Sequence, residues 1–517
     1  MSDTPVTDLP METVSADAPA AAPATGTPPR MRPAAIPVDM PTITVTLRKL
    51  VGRQANANAE RYTAGQVEID LTPMLGDGTS IRTSKSLYEA AGNWSISLGD
   101  QVRQEIRDTI YALVEPMDLI EIRASRWPHL HAGKKLPLVM RGFVSSVRRG
   151  EAMDGEGNPQ RGVTITGQDY GKLWLIHQIL PQALYFAIIE PVFGPFYTQT
   201  VTGIDAVWRP AAEVIKLLTL DVVNKRVQEL GRARASNVQP ADSTPLVQPF
   251  AFTSTVPEGF VSPLRIGPFS GPYWGLAELI SDKPWNELFI DDVGPVGREV
   301  PTVTFRPAPF RNLAGGYIMP GAADPGTAQM DHADVLSLDV QRSDRRVGNF
   351  FWVPPGPGML DSSNRNSIMT MLEGKAQDFS YGNNSPALYG IRRMEVQTNL
   401  APSLQGLDEA APESGVRMVQ WHEHRATQLK DMNRDNAALE EGSMTLRANE
   451  ALRPGRYLRL TRGDMVADYY MTGVSHSFQP LRSWTASVTL VRGTGFLERV
   501  KMKGNPAYAE AIHGVRG

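Results

Sequence analysis

The sequence predicts a β-rich, α+β multidomain fold: two small antiparallel β-barrels separated by an inserted α+β region, behind a flexible N-terminal arm. Three observations predict it. Apolar and polar residues alternate with period two in two separate series of short segments, the signature of half-buried strands. The 517 residues include 45 glycines and 41 prolines, about a sixth of the chain, enough to punctuate turns between many short strands. The chain is also too long for one ordinary core, since domains average roughly 150 residues, so about three packed units are expected.

Bulk composition narrows the function classes. Hydrophobic residues at 41% and charged residues at 21% are ordinary for a folded globular chain. With no cysteine, disulfide staples, thiolate metal sites and cysteine nucleophiles are excluded together. No apolar run approaches the roughly 18 residues of a membrane helix; the best, Ala183 to Ile189, stops at Glu190 and Pro191. Stable membrane insertion is therefore not expected. Met1 to Pro10 carries Asp3 and Asp8 and has neither the basic start nor the apolar core of a secretory signal. The net charge is −3. The acidic excess lies in the first 41 residues, where Asp3, Asp8, Glu12, Asp17 and Asp39 face only Arg30 and Arg32. The remainder is neutral and lacks long basic runs, which argues against tight nucleic-acid binding by counterion release.

Along the chain, residues 1–41 are Ala/Pro-rich without apolar periodicity and read as a flexible arm. Residues 42–182 form the first predicted barrel. Ile43, Val45 and Leu47 alternate with Thr44, Thr46 and Arg48; Val67–Leu71, Trp94–Leu98, Asp118–Arg123, Leu136–Val147 and Gly162–Thr166 continue the series. A short helix is expected over Val102 to Val114, and a closing helix after Asp169 carries Leu173, Trp174, His177 and Leu180. Residues 183–333 read as an inserted α+β docking region. It has a helix opening at Pro210 with Ile215, Leu218, Val222, Val223, Val227 and Leu230 on one face, a helix around Trp274 to Ile280, and strands at Glu287–Ile290 and Val303–Arg306. Residues 334–500 form the second predicted barrel with a helical insertion: strands at Leu336–Val340, Gly442–Ala448, Gly455–Leu460, Tyr469–Phe478 and Trp484–Val491, and helices near 363–374 and 415–440. Residues 501–517 are a C-terminal tail. The apolar segments Leu184–Ile189 and Val192–Tyr197 carry too many large side chains for a solvent loop and call for burial or a partner. The stripe Val419, Leu429, Met432 and Leu439 is thin enough for a bridging helix.

Candidate chemistry is sparse. His129 and His131, and His422 and His424, are the close histidine pairs, and neither has a third ligand at zinc spacing. Glu423 lies within the second pair, but a zincin needs histidines four apart on a helix. Ser475 and His476 are neighbours in an alternating strand, which directs them to opposite faces. Arg462-Gly463-Asp464 sits where a hairpin turn is required. In the loop Asp154 to Asn158, glycines break the alternation of oxygen ligands that calcium needs. Glu287, Asp291 and Asp292 are the best carboxylate cluster for acid–base work; acidic residues ending a strand more often solvate a turn. The expectation is no catalytic, cofactor or metal site, and hence no enzyme.

A set of phrases in fixed order spans roughly Thr42 to Val500. The first barrel has Asp118–Arg123, Met140–Val144 and Gly167–Lys172; the centre has Trp285–Asp291 and Phe305–Phe310. Then come Arg342–Asp344 with Asn349–Val353, Leu452–Tyr457, Tyr469–His476 and Leu490–Gly493. In this the chain resembles the baseplate hub proteins of contractile-tailed phages, the late-control tail protein family. The resemblance implies tail-tube-like barrels and a homotrimer whose two barrels per chain give six similar units, joining the sixfold tail tube to the threefold central spike and leaving a channel for DNA ejection. Implied partners are the tail tube protein, the spike protein and baseplate wedge or tape-measure proteins, with DNA only in transit. The implied location is the virion tail baseplate, after assembly in the host cytoplasm. Residues 183–270 and the arm lie outside the resemblance. The competing reading is a tail-associated murein hydrolase built on Glu287 and Asp291.

Overall fold

The computed structural model describes residues 41–49, 68–76, 78–100, 109–153, 155–157, 159–180, 197–200, 203–232, 247–262, 269–292, 299–356, 382–403, 412–480 and 482–501. The expected arm over 1–40, the apolar segments 184–189 and 192–196, the helix near 363–374, the first half of the helix expected from Val102, and the tail from 502 lie outside the described residues.

Thirteen strands form one sheet. The first series is β1 (Thr42–Arg48), β2 (Glu68–Asp70), β3 (Ser80–Ser86), β4 (Asn93–Gly99), β5 (Leu119–Ser125), β6 (Leu138–Met153) and β7 (Pro159–Asp169). The second is β8 (Thr327–Asp331), β9 (Val335–Gln341), β10 (Glu440–Arg447), β11 (Tyr457–Arg462), β12 (Met465–Gln479) and β13 (Ser483–Gly493). Their order is β9-β10-β13-β12-β3-β4-β7-β6-β5-β1-β2, with β11 beside β12 and β8 parallel to β11. The β-rich expectation holds. The two series do not close separately, and no closed barrel is present among the described residues: they meet edge to edge through β12 and β3, where Gly473–Phe478 runs antiparallel to Ile81–Ser86.

Strand length explains the joint. β12 has 15 residues, but β11 covers one of its sides only from Met465 to Tyr470. The register shifts between Met471 and Gly473, and beyond that bulge the exposed backbone groups of β12 need partners. β3 supplies them. β6 is built the same way: 16 residues long, paired to β5 only from Leu138 to Phe143, with a register shift between Val144 and Ser146. Its outer edge from Ser145 to Met153 has no strand partner among the described residues, and neither does the outer edge of β9. The unit β3-β4-β7-β6 with β5 thus repeats the pairing of β9-β10-β13-β12 with β11.

Period-two alternation divides the sheet into two faces. One face builds a shared core to which both series contribute, including Val45, Ile96 and Ile165 from the first and Met444, Leu458 and Val488 from the second. A second core lies under the central region, where Val214, Ile215, Leu218 and Val223 of the helical stretch Ala211–Arg232 pack with Trp174, Trp274 and Leu276. Alongside them is a small sheet in which Thr302–Pro307 pairs with Ala251–Ser254 and Asn286–Asp291. The expected helix after Asp169 is short, Lys172–Ile176, and the Asp169 carboxylate accepts a hydrogen bond from Gly171 N just ahead of it. Among the described residues no helix is long and apolar enough to cross a membrane.

The helix Pro412–Asn433 is clamped from its buried side. Arg425 and Asp282, both buried, lie 3.2 Å apart; Asp282 also accepts from Thr398 Oγ1 and Asn399 N at 2.8 Å each. The Arg425 guanidinium stacks 4.3 Å from the Trp421 ring centroid, and Trp285 Nε1 donates to Arg425 O. His422 is 1% exposed, with Nδ1 3.0 Å from Val353 O.

Two predictions follow from this packing. A Cβ on Gly167 of β7 would stand 2.1 Å from Trp94 Cζ2 and 2.4 Å from Phe143 O. Gly167→Ala should therefore cost roughly 1–3 kcal/mol or more in urea denaturation, whereas Gly99→Ala, with nothing within 4 Å, should stay within about 0.5 kcal/mol of the parent. Burial pulls the His422 imidazole down to about 4 from 6.5. Between those values the unfolded chain takes up a proton that the folded chain refuses, so this contribution is nil above pH 6.5 and destabilises as the pH falls, by about 3 kcal/mol at pH 4. His422→Gln should flatten the decline across that window; an undiminished slope would assign the acid sensitivity elsewhere.

Candidate functional site

The face of the sheet opposite the shared core is lined by hydroxyls and amides. The strand registers place Ser337, Thr445, Ser487, Ser475, Ser84, Asn93 and Gln168 as successive partners across seven strands. A second row runs Arg447, Thr485, Ser477, Arg82, Ser95, Thr166 and Ser146. Counting β6 and β9, eight strands carry this face. Side chains satisfy each other along it: Ser475 Oγ donates to Ser84 Oγ at 2.9 Å, Ser146 and Thr166 hydroxyls lie 2.7 Å apart, and Gln168 Nε2 donates to Asn93 Oδ1 at 3.4 Å. A groove of about 930 Å³ runs over the β12–β3 joint, and residues of both rows line it. Such a surface offers mostly uncharged donors and acceptors to water or to a passing polar molecule, with Arg82 and Arg447 as the charged members of the second row.

Charge is concentrated behind the sheet, where the central region meets both strand series. Arg306 donates to Glu287 Oε2 from Nε at 3.0 Å and Nη2 at 2.9 Å, and to Gly455 O at 2.6 Å. The Tyr470 hydroxyl donates to Glu287 Oε1 at 2.6 Å and accepts from Arg306 Nη2; burial and the Glu287 carboxylate hold that phenol well above its ordinary range. Arg453 reaches Asp291 at 3.0 Å and also donates to Leu138 O. Asp292 is buried, and Arg141 N donates to its Oδ2 at 3.4 Å. Burial pushes its carboxyl up to about 6, while the Lys85 ammonium pulls the other way. Lys85 itself is bonded to Asp169.

These contacts place the candidate carboxylates. Glu287 lies near the start of the strand Asn286–Asp291, with Asp291 at its end and Asp292 just beyond, and the partners found for them differ: Arg306 for Glu287 and Arg453 for Asp291, with Asp292 accepting from a backbone N–H. All three sit in the joint between the central region and the sheet, away from the hydroxyl groove. The histidine pairs are separated too. His422 faces the core, while His424 Nε2 lies 3.6 Å from Glu258 and 2.7 Å from Gln428 Nε2. His129 packs on Trp127, and His131 lies 3.7 Å from Glu450. Among the described residues no three His, Asp or Glu side chains converge as a metal site requires. Ser475 lies on the hydroxyl face, and His476 on the opposite face packs against Trp484 at 5.7 Å between centroids. Gly463, at φ 56°, turns the hairpin between β11 and β12, so Arg462 and Asp464 flank a tight turn. In the β6–β7 loop, Asp154 and Asn158 lie outside the described residues, and Gly155, Glu156 and Gly157 form an exposed turn.

Sequence reading missed β3. Its segment Ser80–Ser86 contains Ile81 as its only large apolar residue, and the inward positions Thr83 and Lys85 are polar. The signal available was alternation of small hydroxyl residues, which a search for apolar period two passes over.

No family model and no curated protein matches the sequence. Solved structures are similar to it at low identity. The tail protein from Neisseria meningitidis MC58 is 10% identical, with 89% of this chain and 98% of that one covered and a TM-score of 0.45. The tail protein of prophage MuSo2 from Shewanella oneidensis is 10% identical, with 87% and 96% covered and a TM-score of 0.39. A chain of the phage P2 baseplate in its activated conformation is 9% identical, with 87% and 98% covered and a TM-score of 0.26. These three are described as a tail protein, a prophage tail protein and a phage baseplate chain.

Proposed function

We propose that the chain is a structural baseplate hub of a contractile phage tail: a homotrimer that continues the sixfold tail tube, seats the threefold central spike and leaves a channel for DNA ejection. One observation carries the reading. Within the chain, β3 fills the half-edge that β12 exposes beyond its bulge; among the described residues, β6 has no partner along the equivalent half-edge from Ser145 to Met153, and β9, the counterpart of β3, has none along its outer edge. Antiparallel addition of β9 from one copy to β6 of the next repeats between chains the joint already used inside each chain. Such head-to-tail pairing generates a ring when the rotation closes. It would also cover the two unpaired edges, which otherwise invite aggregation.

Two repeated units per chain in three copies give six similar units, and eight strands per chain give twenty-four around the ring. The hydroxyl face then lines the channel, where mostly uncharged polar groups with a few scattered arginines let a polyanion pass without trapping it. The described elements of the central region, such as Ala211–Arg232 and Thr302–Pro307, and the helix Pro412–Asn433 remain outside the ring and are available to the spike, tube, wedge or tape-measure proteins. In this reading the protein belongs to the virion tail and carries out no chemistry; the Glu287, Asp291 and Asp292 carboxylates serve the internal joint.

Native mass measurement of the full chain should give three times the 56.7 kDa chain mass. A stable monomer or hexamer would refute the hub. The purified protein should also leave peptidoglycan intact in a clearing assay; clearing that disappears in Glu287→Gln would establish the lytic alternative instead.

A further inference from the structure

We propose that Arg82 and Arg447 form a sparse collar on the hydroxyl face that touches the phosphodiester backbone of DNA in transit. The proposal deepens the channel reading and rests on it. Both arginines lie in the same register row, Arg447–Thr485–Ser477–Arg82, with β13 and β12 between their strands. Arg82 lies on β3, the first strand of one repeat, and Arg447 on β10, the second strand of the other. Both are exposed, and neither has a carboxylate partner among the described residues.

The contrast with the back of the sheet supplies the argument. There, Arg306, Arg425 and Arg453 each face a carboxylate. On the hydroxyl face the interior rows contain no acidic residue at all; Asp339 and Glu441 sit toward the β9 edge, and Glu441 is paired with Arg346. Among the described residues, Arg82 and Arg447 have no such partner on the surface proposed to face the channel, and the charge complement of an unmatched, exposed guanidinium is an external anion. Phosphate suits it, because the planar guanidinium donates to two phosphate oxygens at once. The neighbours Thr485, Ser477 and Ser95 add neutral hydrogen-bonding groups. Arg148 is excluded, because it lies on β6 at the edge where a neighbour's β9 would bring Asp339 close.

Spacing decides how strong the grip is. Three strand steps separate the two arginines, about 14 Å at the usual interstrand distance, which exceeds the Debye length of about 8 Å at physiological salt. Each therefore acts as an isolated contact, and their potentials do not merge into a basic patch. Three copies would give six such contacts: enough to centre a duplex, too few and too far apart to hold it.

The test uses the full chain and a short labelled DNA duplex, with binding read by fluorescence anisotropy over a range of salt and native mass measured on the same samples. Weak, salt-sensitive binding is expected, with a log–log slope no steeper than about −5 for six contacts. The double substitution R82Q/R447Q should weaken binding at least tenfold at low salt and flatten the slope, while R82K/R447K should restore the slope. The proposal is overturned if the double Gln variant binds like the parent, if the parent shows no salt-dependent binding, or if polyglutamate competes as well as the duplex at equal charge. A trimer that ignores DNA refutes the collar and leaves the hub standing; a monomer whose DNA binding depends on both arginines refutes the hub and leaves the phosphate contact.

Discussion

The pairing of β12 with β3 is the constraint on which the rest of the structure depends. It satisfies backbone groups that would otherwise lie unpaired on both strands, and it commits the two strand series, separated by nearly 400 residues along the chain at Ser84 and Ser475, to a common sheet. Once that register is set, period two dictates everything on either side. Val474 and Phe478 join Ile81 and Trp94 in the shared core, while Ser475 and Ser477 align with Ser84 and Arg82 on the opposite face. A slip of one residue would exchange the two faces and expose the core.

Behind the sheet, the same joint is braced by charge. The Arg306–Glu287–Tyr470 network and the Arg453–Asp291 pair link the small central sheet to β12 and to the segment before β11, and Asp292 faces Arg141 of β6 from the central side. Such part-buried pairs contribute little net stability against well-packed apolar residues, but breaking one leaves a charge without its partner in the joint. Their value here is registry: each pairing is satisfied in one arrangement of the three parts. That is why the carboxylates that attract attention in the sequence as an acid–base cluster lie in a structural joint.

Segregation of charge is the feature that connects fold to proposed function. Behind the sheet Arg306, Arg425 and Arg453 each meet a carboxylate, whereas the hydroxyl face is mostly uncharged, with a few arginines and an acidic edge. A neutral polar surface binds water well and macromolecules poorly, which suits the lining of a passage and does not suit a site of capture. The free half-edge of β6 and the free edge of β9 lie at the two ends of this face, so the surface is bounded by the two places where another copy could extend it.

Much of this was legible in the sequence. The apolar alternation of Ile43, Val45 and Leu47, or of Leu458 and Leu460, identifies strands because burial of one face requires it, and turn residues such as Gly463 locate the hairpins. The opposition of Ser475 and His476 follows from strand geometry alone. The strand Ser80–Ser86 was not legible, because its inward positions are filled by Thr83 and by Lys85, which is tolerated only where Asp169 meets it. Nor was the joining of the two series, since local periodicity predicts that strands exist and is silent on which distant edges pair. The sequence by itself determined the strands, their faces and the lack of recognisable catalytic spacing, all consequences of neighbours along the chain. The tertiary structure alone decided that two expected barrels are one sheet, that rows of hydroxyls align across it, and which arginines are neutralised, because register and ion pairing depend on residues brought together from opposite ends of the chain.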